Sequence, residues 1–373
     1  MERLKISAQQ DIYQAGGMRL LKPLLELCSM LYGVGIRLRL YAYSLGLFRR
    51  RSLPGFVLSV GNLTVGGTGK TPAVIMLARY ALRHGHRVAV LSRGYRGSYK
   101  TRTLEVSDGI EIKANPGEAG DEPCLLARNL PGVPVVISRK RYFAGMFAHE
   151  KFGSDFFILD DGFQHLELNR DLDLALLDAV DPVGNGRLLP RGPLREPIDQ
   201  LSRADACIIT RFRGHTFDSN AAAFLKNNFP EIPLFFADHL ADKVIFPCLN
   251  QSRDTEILKG IRVAAFAAIA KPEMFRKTLT GLGADLAFFR GFRDHHQFTK
   301  EEILGLVEMK EKHCARYLLT TEKDWVRVAP LAPGCPDLGY LGIKFDLLAD
   351  QDGLLEMIKN GSNGKKTCPG SHV

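Results

Sequence analysis

Residues 56–83 read FVLSVGNLTVGGTGKTPAVIMLARYALR, and three textures follow one another along them. FVLSV (56–60) is a short apolar run with β-branched residues, the pattern of a buried strand. TPAVIMLARYALRHG (71–85) is a helical stretch, with Pro72 in the first turn where no N–H is needed. Between them GNLTVGGTGK (61–70) nearly spells the phosphate-loop pattern G-x-x-x-x-G-K-[ST]. Gly69, Lys70 and Thr71 are in place, but the position of the first glycine holds Thr64. A strand, a glycine-rich turn and a helix in this order predict a nucleotide site. The loop Thr64, Val65, Gly66, Gly67, Thr68 and Gly69 is expected to present backbone N–H groups to phosphates, helped by the positive end of the helix. Lys70 is expected to neutralise phosphate oxygens, and the Thr71 hydroxyl to hold Mg²⁺. How the first turn is made with a side chain at Thr64 is left open by the sequence.

Outward from this unit the same alternation continues. RVAVLS (87–92), PVVIS (134–138), DFFILD (155–160), LDLALLD (172–178), ACIIT (206–210) and PLFFA (233–237) are apolar runs with helical stretches between several of them. Continuous apolar strands joined by helices predict an α/β fold of the P-loop NTPase type, its sheet mostly parallel and covered by helices on both faces. A second, smaller α/β lobe begins near Gly260, with a helix opened by a Thr299–Glu302 capping box. At 373 residues the chain has room for both. The expected divisions are 1–52 as a basic amphipathic segment, 53–240 as the P-loop core, 241–350 as the smaller lobe and 351–373 as a partly disordered extension. The stretch 238–260 reads as the linker between lobes, and the tail NGSNGKKTCPGSHV as disordered.

The net charge of +9 is concentrated near the start. From Gly16 to Arg51 there are seven basic residues against one acid, Glu26. Leu20, Leu24, Leu27, Leu31 and Leu38 approximate a helical stripe among them, ending in Arg49-Arg50-Arg51. Such a helix either packs on the domain or lies in an anionic membrane surface, apolar face down. The basic end favours the membrane. LCSMLYGVGI (27–36) is too short to cross a bilayer, and the first residues lack a secretory signal. Seven dispersed cysteines without metal-type spacing read as reduced thiols of a cytosolic protein. No aromatic–basic interleaving points to nucleic acid, and a monomer is expected.

FFILDDGFQH (156–165) supports the loop: an apolar strand ending in Asp160-Asp161 has the form of a Walker B carboxylate positioning Mg²⁺. Residues 321–324, TEKD, have the wrong spacing for a guanine-reading motif, so ATP is favoured over GTP. GDEP (120–123) places Asp121 before a helix, as a cap or as a reactive acid. RDHHQF (293–298) sets two histidines side by side; facing opposite ways, they point to one histidine assisting a carboxylate as general base rather than to a shared metal. His165 is a candidate for orienting phosphate or the metal shell. SRGYRG (92–97), SRKRYFAG (138–145) and RLLPRGPLREP (187–197) present arginines in loops after strands, including Arg93, Arg96, Arg141 and Arg191. Three such clusters at the strand ends, where the crevice of an open parallel sheet lies, suit an anionic substrate besides ATP. Glu196 is the only acid of the third cluster and a candidate for a metal contact or for a contact that supports the metal's ligands from behind.

GNLTVGGTGKTP, LSRGYRG, GDEP, LDDGFQH, RDLDLALLD, GRLLPRGPLREP, DHHQF and LTTEKD, in this order, closely resemble the tetraacyldisaccharide 4′-kinase family over about residues 20–330. The resemblance implies a two-lobed, ATP- and Mg²⁺-dependent P-loop kinase of lipid A biosynthesis. Its acceptor is the 4′-hydroxyl of a tetraacylated glucosamine disaccharide 1-phosphate. Its place is the cytoplasmic face of the Gram-negative inner membrane, reached through a basic, apolar N-terminal helix. It also implies that Asp121 pairs with His295 to deprotonate the sugar hydroxyl. Asp160, Asp161, His165 and Glu196 then belong to the Mg²⁺ and phosphate environment. Arg191 stands where relatives commonly carry alanine and Lys140 at a variable position, both adding positive charge near the acceptor site.

Overall fold

The apolar runs become strands of one continuous sheet, described here from a computed structural model that covers residues 22–212, 219–332, 334–348 and 351–366. Helix α1 (Lys22–Ser44) precedes the sheet. The first lobe follows as β1 (Phe56–Gly61), α2 (Lys70–Arg83), β2 (Val88–Ser92), β3 (Leu104–Ser107), α3 (Pro116–Ala119), α4 (Asp121–Asn129), β4 (Val135–Ile137), α5 (Arg141–Phe152), β5 (Phe156–Asp160), β6 (Leu172–Asp178), β7 (Ala206–Thr210) and α6 (Asn220–Asn228). The chain then runs through β8 (Leu234–Phe246) and β9 (Gln251–Asp254) into the second lobe. That lobe holds β10 (Arg262–Ala267), α7 (Pro272–Gly281), β11 (Asp285–Gly291), α8 (Lys300–Lys312), β12 (Tyr317–Thr321), α9 (Glu322–Val328) and β13 (Leu338–Leu347), and α10 (Gln351–Lys366) closes the described chain.

Strand order is β11-β10-β12-β13-β8-β7-β6-β1-β5-β2-β4-β3. Each lobe supplies a parallel block, and only the edge strand β3 and the seam between lobes are antiparallel within this path. The central strands are buried on both faces, as their unbroken apolar sequences require. Alternate residues of β1 divide between two layers. Phe56, Leu58 and Val60 pack with Val74, Leu77 and Ala81 of α2, while Val57 joins Leu91, Leu159 and Ala144 and Ala148 of α5. The Thr299–Glu302 capping box forms, with the Thr299 hydroxyl accepting from Glu302 N at 3.2 Å and the Glu302 carboxylate accepting from Thr299 N at 3.0 Å.

Two expectations fail. The supposed linker at 238–260 is largely strand: β8 pairs parallel with β7 over Leu234–Phe236, then antiparallel with β13 from Ala237 to Ile245, and turns into β9. Its polar DHLADK lies in a half-exposed stretch of ladder, where alternation with water rather than continuous burial sets the composition. The tail is also ordered as far as Lys366. Helix α10 returns to the first lobe and buries Leu354 and Ile358 in the same core as Phe56. An added Cβ at Gly361 would stand 2.8 Å from the Phe56 ring, so the helix passes close over β1. Residues 367–373 lie outside the described chain, as do Arg19 and Leu20 of the basic segment.

Candidate active site

Gly61 ends β1 against the turn after β5; a Cβ there would meet Phe163 N at 2.6 Å. The first turn of the loop is then built by pairing rather than by a glycine. Thr64 forms an antiparallel bridge with Leu194, Arg195 N donates to Leu63 O at 2.8 Å and Val65 N donates to Pro193 O at 2.8 Å. Positive φ is confined to Gly66 (123°) and Gly69 (85°) within the loop, so Thr64 is unstrained. Behind the loop, Thr210 Oγ1 donates to Thr68 O at 2.9 Å, and the Arg211 guanidinium bonds both Gly67 O and Asp178. His239 of β8 packs on Gly69, and burial, with Arg211 beside it, pushes its imidazole down to about 4, keeping it neutral.

Lys70 opens α2 with its ammonium between Asn62 Oδ1 (3.0 Å) and Asp161 Oδ1 (3.5 Å). Strand β5 delivers Asp160 into the core, where it accepts from Ser92 Oγ at 2.9 Å, and Asp161 follows with φ 52°. The two carboxylates are pushed apart. Burial, with the charges of Glu122 and Asp161, raises Asp160 to about 7. Burial also opposes ionisation of Asp161, but Lys70 and the Arg195 guanidinium, 2.7 Å away, outweigh it and hold that carboxyl at about 2. Among the described residues no three His, Cys, Asp or Glu converge into a metal cage. Mg²⁺ needs none, because it is commonly held through one or two carboxylates with phosphate oxygens and water. Asp161 Oδ1 has no hydrogen-bond partner although buried, and Asp160 and the Thr71 hydroxyl are oxygen donors on the neighbouring segments, a set that fits this ion.

The arginines divide. Arg141, at the start of α5, is buried and reaches Asp160 O at 3.5 Å; burial lowers its guanidinium to about 10. His165 is held near 3 by burial and by Arg141, Arg170, Arg39 and Arg93, a neutral ring with Nε2 unpartnered among cations. Arg93 and Arg96 are exposed after β2. Arg191, expected at phosphate or substrate, instead donates to Glu26 of α1 at 3.0 Å, and Arg187 takes the other oxygen of Glu26 at 3.2 Å. Arg187 and Arg191 together tie Glu26, and with it α1, to this loop. Glu196, expected near metal, is buried and accepts from Arg203 at 2.7 Å; Arg203 also donates to Phe163 O, which places Glu196 in the support of the DDGF turn. Sequence reasoning missed Arg195 and Asn62, which hold Asp161 and Lys70. Both lie inside motifs already quoted, Asn62 in GNLTVGGTGK and Arg195 in RLLPRGPLREP.

Helix α1 is tied to these same loops. Ser29 Oγ donates to Leu188 O at 2.9 Å, Tyr32 OH to Arg195 O at 2.8 Å and Arg39 to Gln164 O at 2.9 Å. Its other side leaves Leu24, Leu27, Leu31, Leu38 and Tyr41 each more than half exposed. Among the described residues, no helix is long and apolar enough to cross a membrane.

The acid–base candidates meet across the lobes. Gly120 (φ 90°) turns the chain so that Asp121 starts α4 buried; a Cβ there would collide with Tyr95 O at 2.4 Å. His295, in the loop after β11 with φ 60°, places Nδ1 2.8 Å from Asp121 Oδ2. Burial works against ionisation of Asp121, but the His295 bond and the charge of Arg327 hold its carboxyl below the usual range. His296 points elsewhere, to Glu302 at 2.9 Å. The charge of Glu122, next to Asp121 in sequence, contributes to raising Asp160.

A mostly parallel sheet, a glycine loop ahead of a helix and an acidic strand end together define a P-loop nucleotide-binding protein, and a buried carboxylate–histidine pair joins its two lobes. The family model described as LpxK, tetraacyldisaccharide-1-P 4′-kinase, matches residues 21–362, and the chain belongs to this family. It is 42% identical over 354 residues to the tetraacyldisaccharide 4′-kinase of Syntrophus aciditrophicus, covering 91% of this chain and 93% of that protein. The corresponding protein of Geobacter metallireducens is 44% identical, with 88% and 93% covered. The crystal structure of Aquifex aeolicus LpxK in complex with ATP has a TM-score of 0.74 at 35% identity, covering 92% of this chain and 99% of that one.

Proposed function

We propose that this protein transfers the γ-phosphoryl group of ATP to the 4′-hydroxyl of tetraacyldisaccharide 1-phosphate in lipid A biosynthesis. The observation that carries the reading is the Asp121–His295 pair at 2.8 Å, which a nucleotide hydrolase orienting water does not require. Asp121 accepts from Nδ1–H of His295 and leaves Nε2 to take the proton of the acceptor hydroxyl. The hydroxyl oxygen then attacks the γ-phosphorus, and ADP leaves with the β–γ bridging oxygen. Lys70, the loop N–H groups and Arg141 meet the charge of the transferred group. Mg²⁺, held through Asp160 or Asp161 and Thr71, supplies further charge neutralisation when bound.

The exposed apolar stripe of α1 beside basic residues supports attachment to an anionic membrane, at the cytoplasmic face of the inner membrane where the lipid acceptor is presented. Direct hydrogen bonds from α1 to Arg195 O and Gln164 O join the helix that carries this stripe to the loops beside Asp161, which supports presentation of the acceptor from that side. Purified protein incubated with Mg-ATP and tetraacyldisaccharide 1-phosphate tests the reading. A 4′-phosphorylated product is expected; folded, ATP-binding protein that yields none refutes it.

A further inference from the structure

We infer that Lys323 is a positioning residue that fixes which nitrogen of His295 serves as the base, and that Asp324 and Arg327 fix Asp121 from its other side. The inference rests on the reading of Asp121 and His295 as the base. All three residues lie on α9, within or just after the LTTEKD string, to which the mechanism above gives no role.

The Thr321 hydroxyl caps α9 by accepting from Asp324 N at 3.1 Å and donates to the Asp324 carboxylate at 2.7 Å. Asp324 is fully buried, accepts from Ala268 N at 2.9 Å and pairs with Arg327. Arg327, also buried, donates to His296 O at 2.8 Å, tying it to the histidine loop, and brings Nε to 3.6 Å from Asp121 Oδ2. On the far side of the imidazole, Lys323 Nζ lies 3.4 Å from His295 Nε2 and 3.6 Å from Glu122. Charges therefore alternate along one chain: Asp324, Arg327, Asp121, the ring of His295, Lys323, Glu122. Asp294 also faces the ring, with Oδ1 3.9 Å from Nε2.

An ammonium has three donors and no lone pair. Where it faces Nε2, that nitrogen must carry the lone pair and Nδ1 the proton, which is the tautomer the mechanism needs. The charge matters as much. The carboxylates of Asp121 and Asp294 favour a doubly protonated ring, which cannot act as a base. Arg327 on the same carboxylate oxygen and Lys323 at Nε2 both oppose that state. At 3.4 Å the Lys323 contact is long, so an acceptor hydroxyl can displace it and donate to Nε2 in its place.

Lys323→Met keeps the length of the side chain and removes the cation. The acid limb of kcat/KM for the acceptor is expected to move up by about one pH unit, with activity about tenfold down at pH 6.5 and largely recovered at pH 9. Lys323→Arg is expected to restore most of the original profile. Glu122→Gln, which frees the Lys323 charge, is expected to move the limb the other way. A purely structural tie between lobes predicts instead that Lys323→Met and Glu122→Gln act alike and uniformly across pH, and that result, or an unshifted limb in Lys323→Met, overturns the inference. His295→Gln separates the two readings: retained activity there sinks the assignment of the base itself. Loss of activity there with an unshifted Lys323→Met profile sinks only the role of Lys323. ¹⁵N spectra of the ring in the free enzyme give a second check, since protonation of Nε2 rather than Nδ1 at neutral pH contradicts the proposal.

Discussion

At Gly69 an added Cβ would stand 1.9 Å from Nε2 of His239, and the backbone there has φ 85°. Two separable penalties follow for Gly69→Ala, one from the backbone, about 1 kcal/mol, and one from the collision. ATP affinity measured by calorimetry is expected to fall at least tenfold, and His239→Ala in the same chain is expected to restore part of it, since only the collision is relieved. Equal loss in the single and double variants would show that His239 yields without cost. The aspartate pair supplies a pH test. Asp160, raised from 3.8 to about 7, favours the folded state in its protonated form. Its contribution is neutral below about pH 4, becomes unfavourable as pH rises and is fully so above 7. Asp160→Asn is therefore expected to stabilise the metal- and nucleotide-free protein at pH 8 by on the order of 2–4 kcal/mol, while abolishing phosphoryl transfer. A stability difference that stays constant from pH 4.5 to 8 in urea titrations would contradict this. The paired acids were legible because a strand pattern ran straight into them. The conformation of Thr64 was not, because the pairing that makes its turn comes from Leu194, far along the chain.

Helix α1 shows the same division at the scale of an element. Its apolar stripe could be read from leucine spacing, since periodicity is a property of the segment alone. Its docking could not. Ser29, Tyr32 and Arg39 find backbone partners 159, 163 and 125 residues away, and Glu26 holds two arginines whose sequence context suggested a substrate site. The helix thus has one face fastened to the catalytic loops and one face free. Leu27→Glu with Leu31→Glu is expected to weaken binding to anionic vesicles at least tenfold, because two side chains that would enter the interface become charged. ATP affinity is expected to stay within twofold, since both side chains point away from the protein. Vesicle flotation and calorimetry on one preparation check both halves. Unchanged flotation would assign membrane binding to another surface.

The whole molecule is less divisible than its two α/β patterns imply. A chain written as core, linker, lobe and tail predicts that residues up to about 240 fold alone. The structure places two obstacles in the way. Strand β8 lies within the sheet and takes its antiparallel partner, β13, from the second lobe. Helix α10, after the last strand, supplies Leu354 and Ile358 to the core around Phe56, so the first lobe is completed by residues that follow the second. Burying two such side chains contributes roughly 3–5 kcal/mol, a large share of the net stability of a domain. The polar composition of 238–260 and of the tail hid both features, since sheet pairing and two buried apolar positions on a mostly exposed helix leave little hydrophobic trace. A fragment ending at residue 246 is accordingly expected to be unfolded or molten by near-ultraviolet circular dichroism and to bind ATP weakly. Leu354→Ala with Ile358→Ala in the full chain is expected to lower stability by roughly 4–6 kcal/mol and to do so for both lobes in one transition. Probes at Trp325, in the second lobe, and at ATP binding, in the first, should then report the same midpoint. Two separate midpoints would mean that the seam uncouples the lobes, and the core of the first lobe would have to be complete without its C-terminal helix.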